Sequence, residues 1–180
     1  TEHSAYLALQ YAFHADYQKI AAAYHAYVSF AHAWNIVAPQ FPNITPAHHV
    51  NTLAQLEITM LLTSDPQFPH ILKEIFLPPF GIYYKGNSAC LQDACLAIVG
   101  TRKATPEGED IAAAFARELA SAGIIIVSGL AFGIDKAAHE GCLEASGTTV
   151  AILGNGLDTY YPRTNERLAQ KIITMGGAII

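Results

Sequence analysis

Charge is scarce in this chain. Charged residues fill 14% of its 180 positions, ten Lys and Arg against fifteen Asp and Glu, and the formal net charge is −5. That balance excludes a broad basic face wrapped in nucleic acid, because such binding grows with the number of phosphates neutralised. Any contact with a polyanion has to be a local patch. Long apolar runs are missing too: none approaches the roughly 20 residues that cross a bilayer, and no signal-peptide pattern opens the chain. The three cysteines, Cys90, Cys95 and Cys142, form neither a CxxC pair nor an even framework. Reduced thiols in a cytoplasmic protein are the simplest reading of them. Neither the GxGxxG of ordinary dinucleotide sites nor the GxxxxGK[ST] of P-loops occurs, so nicotinamide and P-loop chemistry lack their usual signatures.

What is present is apolar. Hydrophobic residues make up 52%, which argues for a folded core and against disorder. A chain of this length holds one domain with a small appendage. The basic residues divide unevenly: Lys19, Lys73 and Lys85 stand against six acids up to residue 95, and seven basic residues stand against nine acids after it.

The organising stretch begins with LAIV at 96–99, which stops at Gly100 and is followed by TRKATPEG. From Ile111 to Ala122 apolar residues recur at helical spacing, and Gly123 ends the run. A second apolar run, 124–128, again ends in glycine, as SGLAFGID, and leads into KAAHEGCLEA. Two buried strands, each followed by a glycine turn and a helix, predict a parallel βαβ unit. Its turns meet at the carboxyl ends of the strands, where open α/β sheets bind ligands. A third unit follows: a strand over 148–153 ending at Gly154, the turn NGLDTYYP, a helix over 165–175 closed by Gly176, and the start of a fourth strand at 178–180.

The first turn has a specific chemical reading. Thr105 suits the N-cap and Pro106 the first helical position, where its missing N–H costs nothing. The free N–H groups of that helix start lie beside Thr101, Arg102 and Lys103, a combination that suits an anion and phosphate above all. The competing reading is two solvated charges on an ordinary βα turn. Further on, Asp135 and His139 stand four apart on the second helix. That spacing fits an N-cap followed by a packed histidine, and it fits a catalytic pair equally well.

Residues 4–34 contain no Gly or Pro and are rich in Ala and aromatics, which predicts two short helices turning near residues 14–16. With no glycine hairpin there, no DNA-binding role falls on this part. Apart from the close His14–Asp16 pair, His14, His25, His32, His48 and His49 have no Cys or carboxylate cluster at ligand spacing, so neither a metal nor a cofactor is expected. Residues 38–50 read as a proline-rich linker, 51–65 as a helix, and 80–87 as a strand in which Tyr83 or Tyr84 offers a base-stacking face or simply packs.

Three phrases in order, AIVGTRKATPEG, VSGLAFGIDKAAHEG and TVAILGNGLDTYYPRTNERLAQKI, closely resemble the DNA-processing protein A (DprA/Smf) family. The preceding PPFGIYYKGN resembles that family's lead-in to its Rossmann-like domain. The resemblance covers about residues 68–180. It implies an α/β fold, a Rossmann-like three-layer parallel sheet at 63–180, preceded by a small helical domain of the sterile-alpha-motif type at 1–62. Because the family's domain continues with further strands and helices, the chain is expected to be a truncated piece. The implied function is non-enzymatic: binding of single-stranded DNA and loading of a RecA-type recombinase in natural transformation, in the cytoplasm and away from membranes. A homodimer is expected of the full-length protein.

Carried over by position, Arg102 matches the arginine of the family's G-[ST]-R turn, a DNA-phosphate contact, with Gly100, Thr101, Lys103 and Thr105 around it. Ser128 and Gly129 match the second turn and are expected to add donors. Phe132 stands where many members carry the arginine of GLARGID, exchanging a cation for a stacking face. The alternative is a nucleotide hydrolase of the lysine-decarboxylase-like Rossmann type, acting on nucleoside monophosphates. Its PGGxGT motif does not occur in these residues. A scaffold that contacts only proteins is the third class.

Overall fold

The computed structural model describes residues 1–180, which form two compact units, Thr1–Met60 and Leu61–Ile180. The first is built from helices α1 (Glu2–Ala12), α2 (Tyr17–Tyr27), α3 (Phe30–Val37) and α4 (Pro46–Gln55). Three helices therefore stand where the sequence predicts two. The unforeseen break falls at Val28, which takes φ +57 with no glycine to ease it. It is held from both sides. Ser29 caps α3 by accepting the His32 N–H at 3.2 Å. The Glu2 carboxylate, from the start of α1, accepts the Ser29 hydroxyl at 2.6 Å and the N–H groups of Phe30 and Ala31 at 2.8 and 3.3 Å. Burial opposes ionisation of Glu2, but these donors outweigh it and hold the carboxyl below the usual carboxylate range. Such a contact 27 residues apart leaves no local trace in the sequence. The core here is aromatic, with Tyr6 against Phe30 at 4.9 Å between ring centres and Trp34 buried. The last five residues of the expected linker, 46–50, belong to α4, which Pro46 opens.

The helix predicted over 51–65 is corrected. α4 ends at Gln55, Glu57 turns the chain through φ +55, and Thr59–Leu62 is strand β1 with Met60, Leu61 and Leu62 buried. Period-3.6 matches among Leu53, Leu56, Met60 and Leu61 come from two elements of different type, an ambiguity short apolar runs carry.

The sheet holds β1 and then β2 (Gly81–Gly86), β3 (Cys95–Ala97), β4 (Ile125–Ser128), β5 (Thr149–Ala151) and β6 (Ala178–Ile179) in the spatial order β1-β2-β6-β5-β4-β3. β3, β4, β5 and β6 run parallel, as expected. β2 pairs antiparallel with β6, so the whole sheet is mixed. Helices α6 (Pro106–Ser121), α7 (Ile134–Glu144) and α8 (Glu166–Thr174) form one layer, α7 packing on both neighbours. Small residues allow the closest approach: Ala116, Ala138 and Cys142 meet Ile126 of β4, and a Cβ on Gly141 would collide with the Ala113 carbonyl. The opposite face of the sheet, Ile125, Val150 and Ala178, is covered by Cys90 and Leu91 of a 3-10 turn. Helix α5 (His70–Lys73) lends Leu72 to the adjoining cluster of Phe68, Ile82 and Tyr84. These are the three layers of an α/β fold. Burial raises the thiols of Cys90 and Cys142 to about 11, so both are inert packing groups at neutral pH.

β3 departs from its expected burial. All three of its residues are exposed, with Leu96 at 44% and Val99 beyond it at 70%. The strand lies at the sheet's edge with one neighbour, and α6 leaves it to pack on β4 and α7.

Candidate functional site

Parallel strands deliver their following turns to a single edge, and β3, β4 and β5 all do so here. Between these turns lies a cleft of about 420 Å³ lined by Arg102, Gly129, Ala131, Gly154, Asn155, Thr159 and Tyr161. All three βα turns contribute. The third was legible as a strand–glycine–helix unit, and the rule that such turns converge would have placed it at the site. Ala131 of the second turn and Gly154, Asn155, Thr159 and Tyr161 of the third were the residues missed.

The first turn presents charge outward. Thr105 caps α6 by accepting the Gly108 N–H at 3.2 Å, with Pro106 behind it as the first helical residue. Thr101 accepts the Lys103 N–H at 3.1 Å, an ordinary Ser/Thr turn. Arg102 and Lys103 are exposed, and neither makes an ion pair. Two of the other five basic residues after 95 are paired, Arg117 bonded to Glu144 and Lys136 3.1 Å from Glu140; Arg163, Arg167 and Lys171 are not, but none of them lines the cleft. The cation on the cleft wall is thus a free one.

The second turn is spent on structure. The Ser128 hydroxyl donates to the Ile98 carbonyl at 2.6 Å and is 2% exposed, so it is not offered to a ligand. The N–H groups of Gly100 and Gly129 both donate to the Asp135 carboxylate, at 3.3 and 3.2 Å. Gly100 owes its identity to Ile134, whose side chain would lie 2.6 Å from an added Cβ. Gly133 has φ +72, and a Cβ there would strike the Thr101 carbonyl; the two turns touch backbone to backbone. Leu130 sits at φ +59 although it is not glycine, and its carbonyl accepts from the buried Asn165 amide at 2.9 Å. Strained residues persist where surrounding bonds over-determine them, often at functional sites.

The structure therefore brings Arg102 and Gly129 to one cleft. Lys103, Thr101 and Thr105 flank it on the first turn. Phe132, 42% exposed, stands on the second turn outside the lining, and Tyr161, 63% exposed, adds an aromatic face from the third.

Asp135 and His139 do not form a catalytic pair. Asp135 holds the turns; Gly133, not Asp135, takes the N-cap position of α7. His139 is fully buried, with Nδ1 2.7 Å from the Thr149 hydroxyl. That hydroxyl donates onward to the Ile126 carbonyl at 2.6 Å, so His139 must donate from Nδ1. Its Nε2 has no partner, and burial lowers its pKa to about 4. It is a neutral packing residue. No group of three His, Cys, Asp or Glu gathers at metal-binding geometry, and no helix is long and apolar enough to cross a membrane.

Compared with known proteins, residues 59–180 match the family model of DNA recombination-mediator protein A. Protein Smf of Synechocystis is 38% identical over 138 residues, 74% of this chain and 35% of that protein. Protein Smf of Escherichia coli is 38% identical over 122 residues, 67% and 32% of the two chains. This chain spans about a third of the length of these relatives. Among solved structures, DNA processing protein A of Streptococcus pneumoniae superposes with a TM-score of 0.69 at 28% identity, over 99% of this chain and 62% of that one. The Helicobacter pylori protein of the same name, known for a single-stranded DNA binding mode, gives 0.56 at 34% identity over 68% of this chain and 55% of its own.

Proposed function

Since this chain belongs to the DNA processing protein A (DprA/Smf) family, we propose that its α/β unit binds single-stranded DNA, with Arg102 gripping a backbone phosphate at the mouth of the three-turn cleft. The observation that carries this reading is the unpaired Arg102 guanidinium on a cleft walled by three βα turns. A guanidinium offers a planar fork to two phosphate oxygens, and Lys103 stands beside it as a second, less directional cation. Tyr161 and Phe132 supply exposed ring faces on which any base stacks. The N-terminal helices, with Lys19 as the only Lys or Arg before Lys73, contribute little to the contact. In the whole protein this binding serves delivery of the strand to a RecA-type recombinase during DNA uptake, with a homodimer as the working form and the cytoplasm as the compartment.

Hydrolysis of free nucleotides is disfavoured by the same geometry. A phosphate cradle needs inward N–H groups, and those of Gly100 and Gly129 are already taken by a carboxylate. A terminal phosphate dianion would meet one guanidinium and a nearby negative charge, whereas a phosphodiester carries a single charge. Asp135 and His139, the one pair that suggested general acid–base work, are not bonded to each other.

The test is a titration of the chain with labelled oligodeoxythymidylate across a salt series. A patch of one or two phosphate contacts predicts a slope of log K on log salt of about −0.7 to −1.4. No saturable binding at low salt, or tighter binding by the 1–60 segment than by the chain, rejects the reading.

A further inference from the structure

One side chain joins the first two turns. Asp135, buried in the first turn of α7, accepts the Gly100 N–H on Oδ1 and the Gly129 N–H on Oδ2, 3.3 and 3.2 Å away. Its partners lie 35 and 6 residues off in sequence, one in each of the first two turns. The Ile134 N–H adds a bond to the Thr101 carbonyl at 3.3 Å, immediately before Arg102. On the far side, the Asn165 amide donates to the Leu130 and Ala131 carbonyls at 2.9 and 3.3 Å, and Ala131 lines the cleft. A buried carboxylate with both oxygens bonded to backbone amides is well compensated, so this bridge is rigid rather than adventitious.

We infer that Asp135 is a positioning residue for the Arg102 site: it draws the first turn onto the second and so fixes where Arg102 meets the cleft. The inference rests on the reading of Arg102 as a phosphate ligand and goes beyond it, since Asp135 never touches the DNA. A carboxylate so close to an anion site has a second, opposite effect. By Coulomb's law alone it repels phosphate. The two effects differ in sign, and Asp135→Asn separates them. Asn supplies one acceptor oxygen and turns its NH2 toward the other amide, donor facing donor. The bridge is cut while a negative charge is removed. Electrostatics then predicts tighter binding, and positioning predicts weaker.

Gly129→Ala makes the same cut without changing charge. An added Cβ lies 2.7 Å from Asp135 Oδ2 with nothing else inside 3.8 Å, so the carboxylate is what it displaces.

The experiment measures oligodeoxythymidylate affinity for the full chain, Arg102→Ala, Asp135→Asn, Gly129→Ala and the Arg102→Ala/Asp135→Asn double variant. The expectation is a loss of roughly three- to tenfold for Asp135→Asn and for Gly129→Ala, and no further loss when Asp135→Asn is added to Arg102→Ala. Equal or tighter binding by Asp135→Asn, while Arg102→Ala weakens, overturns the positioning role and leaves the phosphate site standing. A full additional loss in the double variant also overturns it, since Asp135 then acts independently of Arg102. No effect of Arg102→Ala brings down both readings. Should Asp135→Asn fail to fold, hydrogen exchange of the unaltered chain decides. Slow exchange at the Gly100 and Gly129 amides is required, and exchange at open-loop rates refutes the bridge.

Discussion

The β3–α6 turn and the β4–α7 turn share one signature, a strand ending in glycine before a helix, yet they spend their polar groups in opposite ways. The first ties only its backbone inward, through the Gly100 N–H and the Thr101 carbonyl; its side chains either cap locally, as Thr101 and Thr105 do, or face solvent, as Arg102 and Lys103 do. The second is bonded inward at nearly every step, through Ser128, Gly129, Leu130 and Ala131. A shared turn signature therefore identifies the edge of the sheet where a ligand binds, but not which turn supplies the contacts. What distinguishes them is where their donors end, and those endpoints are 30 or more residues away for Ser128, Gly100 and Asn165. If this division of labour is right, breaking the inward bonds of the second turn costs stability along with binding, whereas removing the Arg102 side chain from the first costs binding alone.

The largest effect is expected at Gly133. Gly133→Ala forces a side chain into the Thr101 carbonyl at φ +72 and should destabilise the chain by about 3 kcal/mol or more. Urea unfolding measures it, and a change under about 1 kcal/mol would show the backbone contact to be loose. Acid should act nearly as strongly through His139, on the helix the second turn launches. Its folded pKa is lowered from the usual 6.5 to about 4 by burial, so the unfolded chain takes up the proton first. The His139 contribution is intact above pH 6.5 and is lost as pH falls toward 4, by up to about 3 kcal/mol. His139→Gln should remove this part of the pH dependence, as urea midpoints at pH 7 and 4.5 would reveal. Asn165→Leu leaves the Leu130 and Ala131 carbonyls without their donor and should cost about 2 kcal/mol. A matched loss of cleft geometry would appear as shifts in the Ala131 and Gly129 amide resonances. Arg102→Ala, on the exposed first turn, should alter stability by no more than about 0.5 kcal/mol.

Much of the fold was legible because its signals are local. Thr105–Pro106 marks the start of α6, Gly123 and Gly176 mark helix ends, and the apolar runs fall on β4, β5 and β6. The family phrases predicted the same order of elements. The failures were non-local. Val28 breaks a helix with no glycine because Glu2 and Ser29 hold the far side. Leu53 to Leu61 mimicked a helix face across a helix and a strand. At the site, Arg102 was found by charge and by its match to a family turn. Asp135 was misread as a cap or a catalytic partner, because its spacing to His139 is visible in the sequence whereas its bonds to Gly100 and Gly129 are not. Tyr161 and Asn155 were overlooked for a different reason: they are uncharged, and the one cation of the third turn, Arg163, stands beyond them outside the cleft lining.

The central claim is that Arg102, whose own side chain makes no ion pair, holds a DNA phosphate. It is tested most directly by oligodeoxythymidylate affinity of Arg102→Ala and Arg102→Lys beside the unaltered chain, with urea unfolding of each as the control. Losing a charged hydrogen bond of this kind costs about 1.5–3 kcal/mol, so Arg102→Ala should bind roughly ten- to a hundredfold more weakly with unchanged stability and a shallower salt slope. Arg102→Lys should recover only part of that loss, because an ammonium cannot copy the planar fork. Unchanged affinity of a fully folded Arg102→Ala would contradict the account and return Arg102 to the solvated surface.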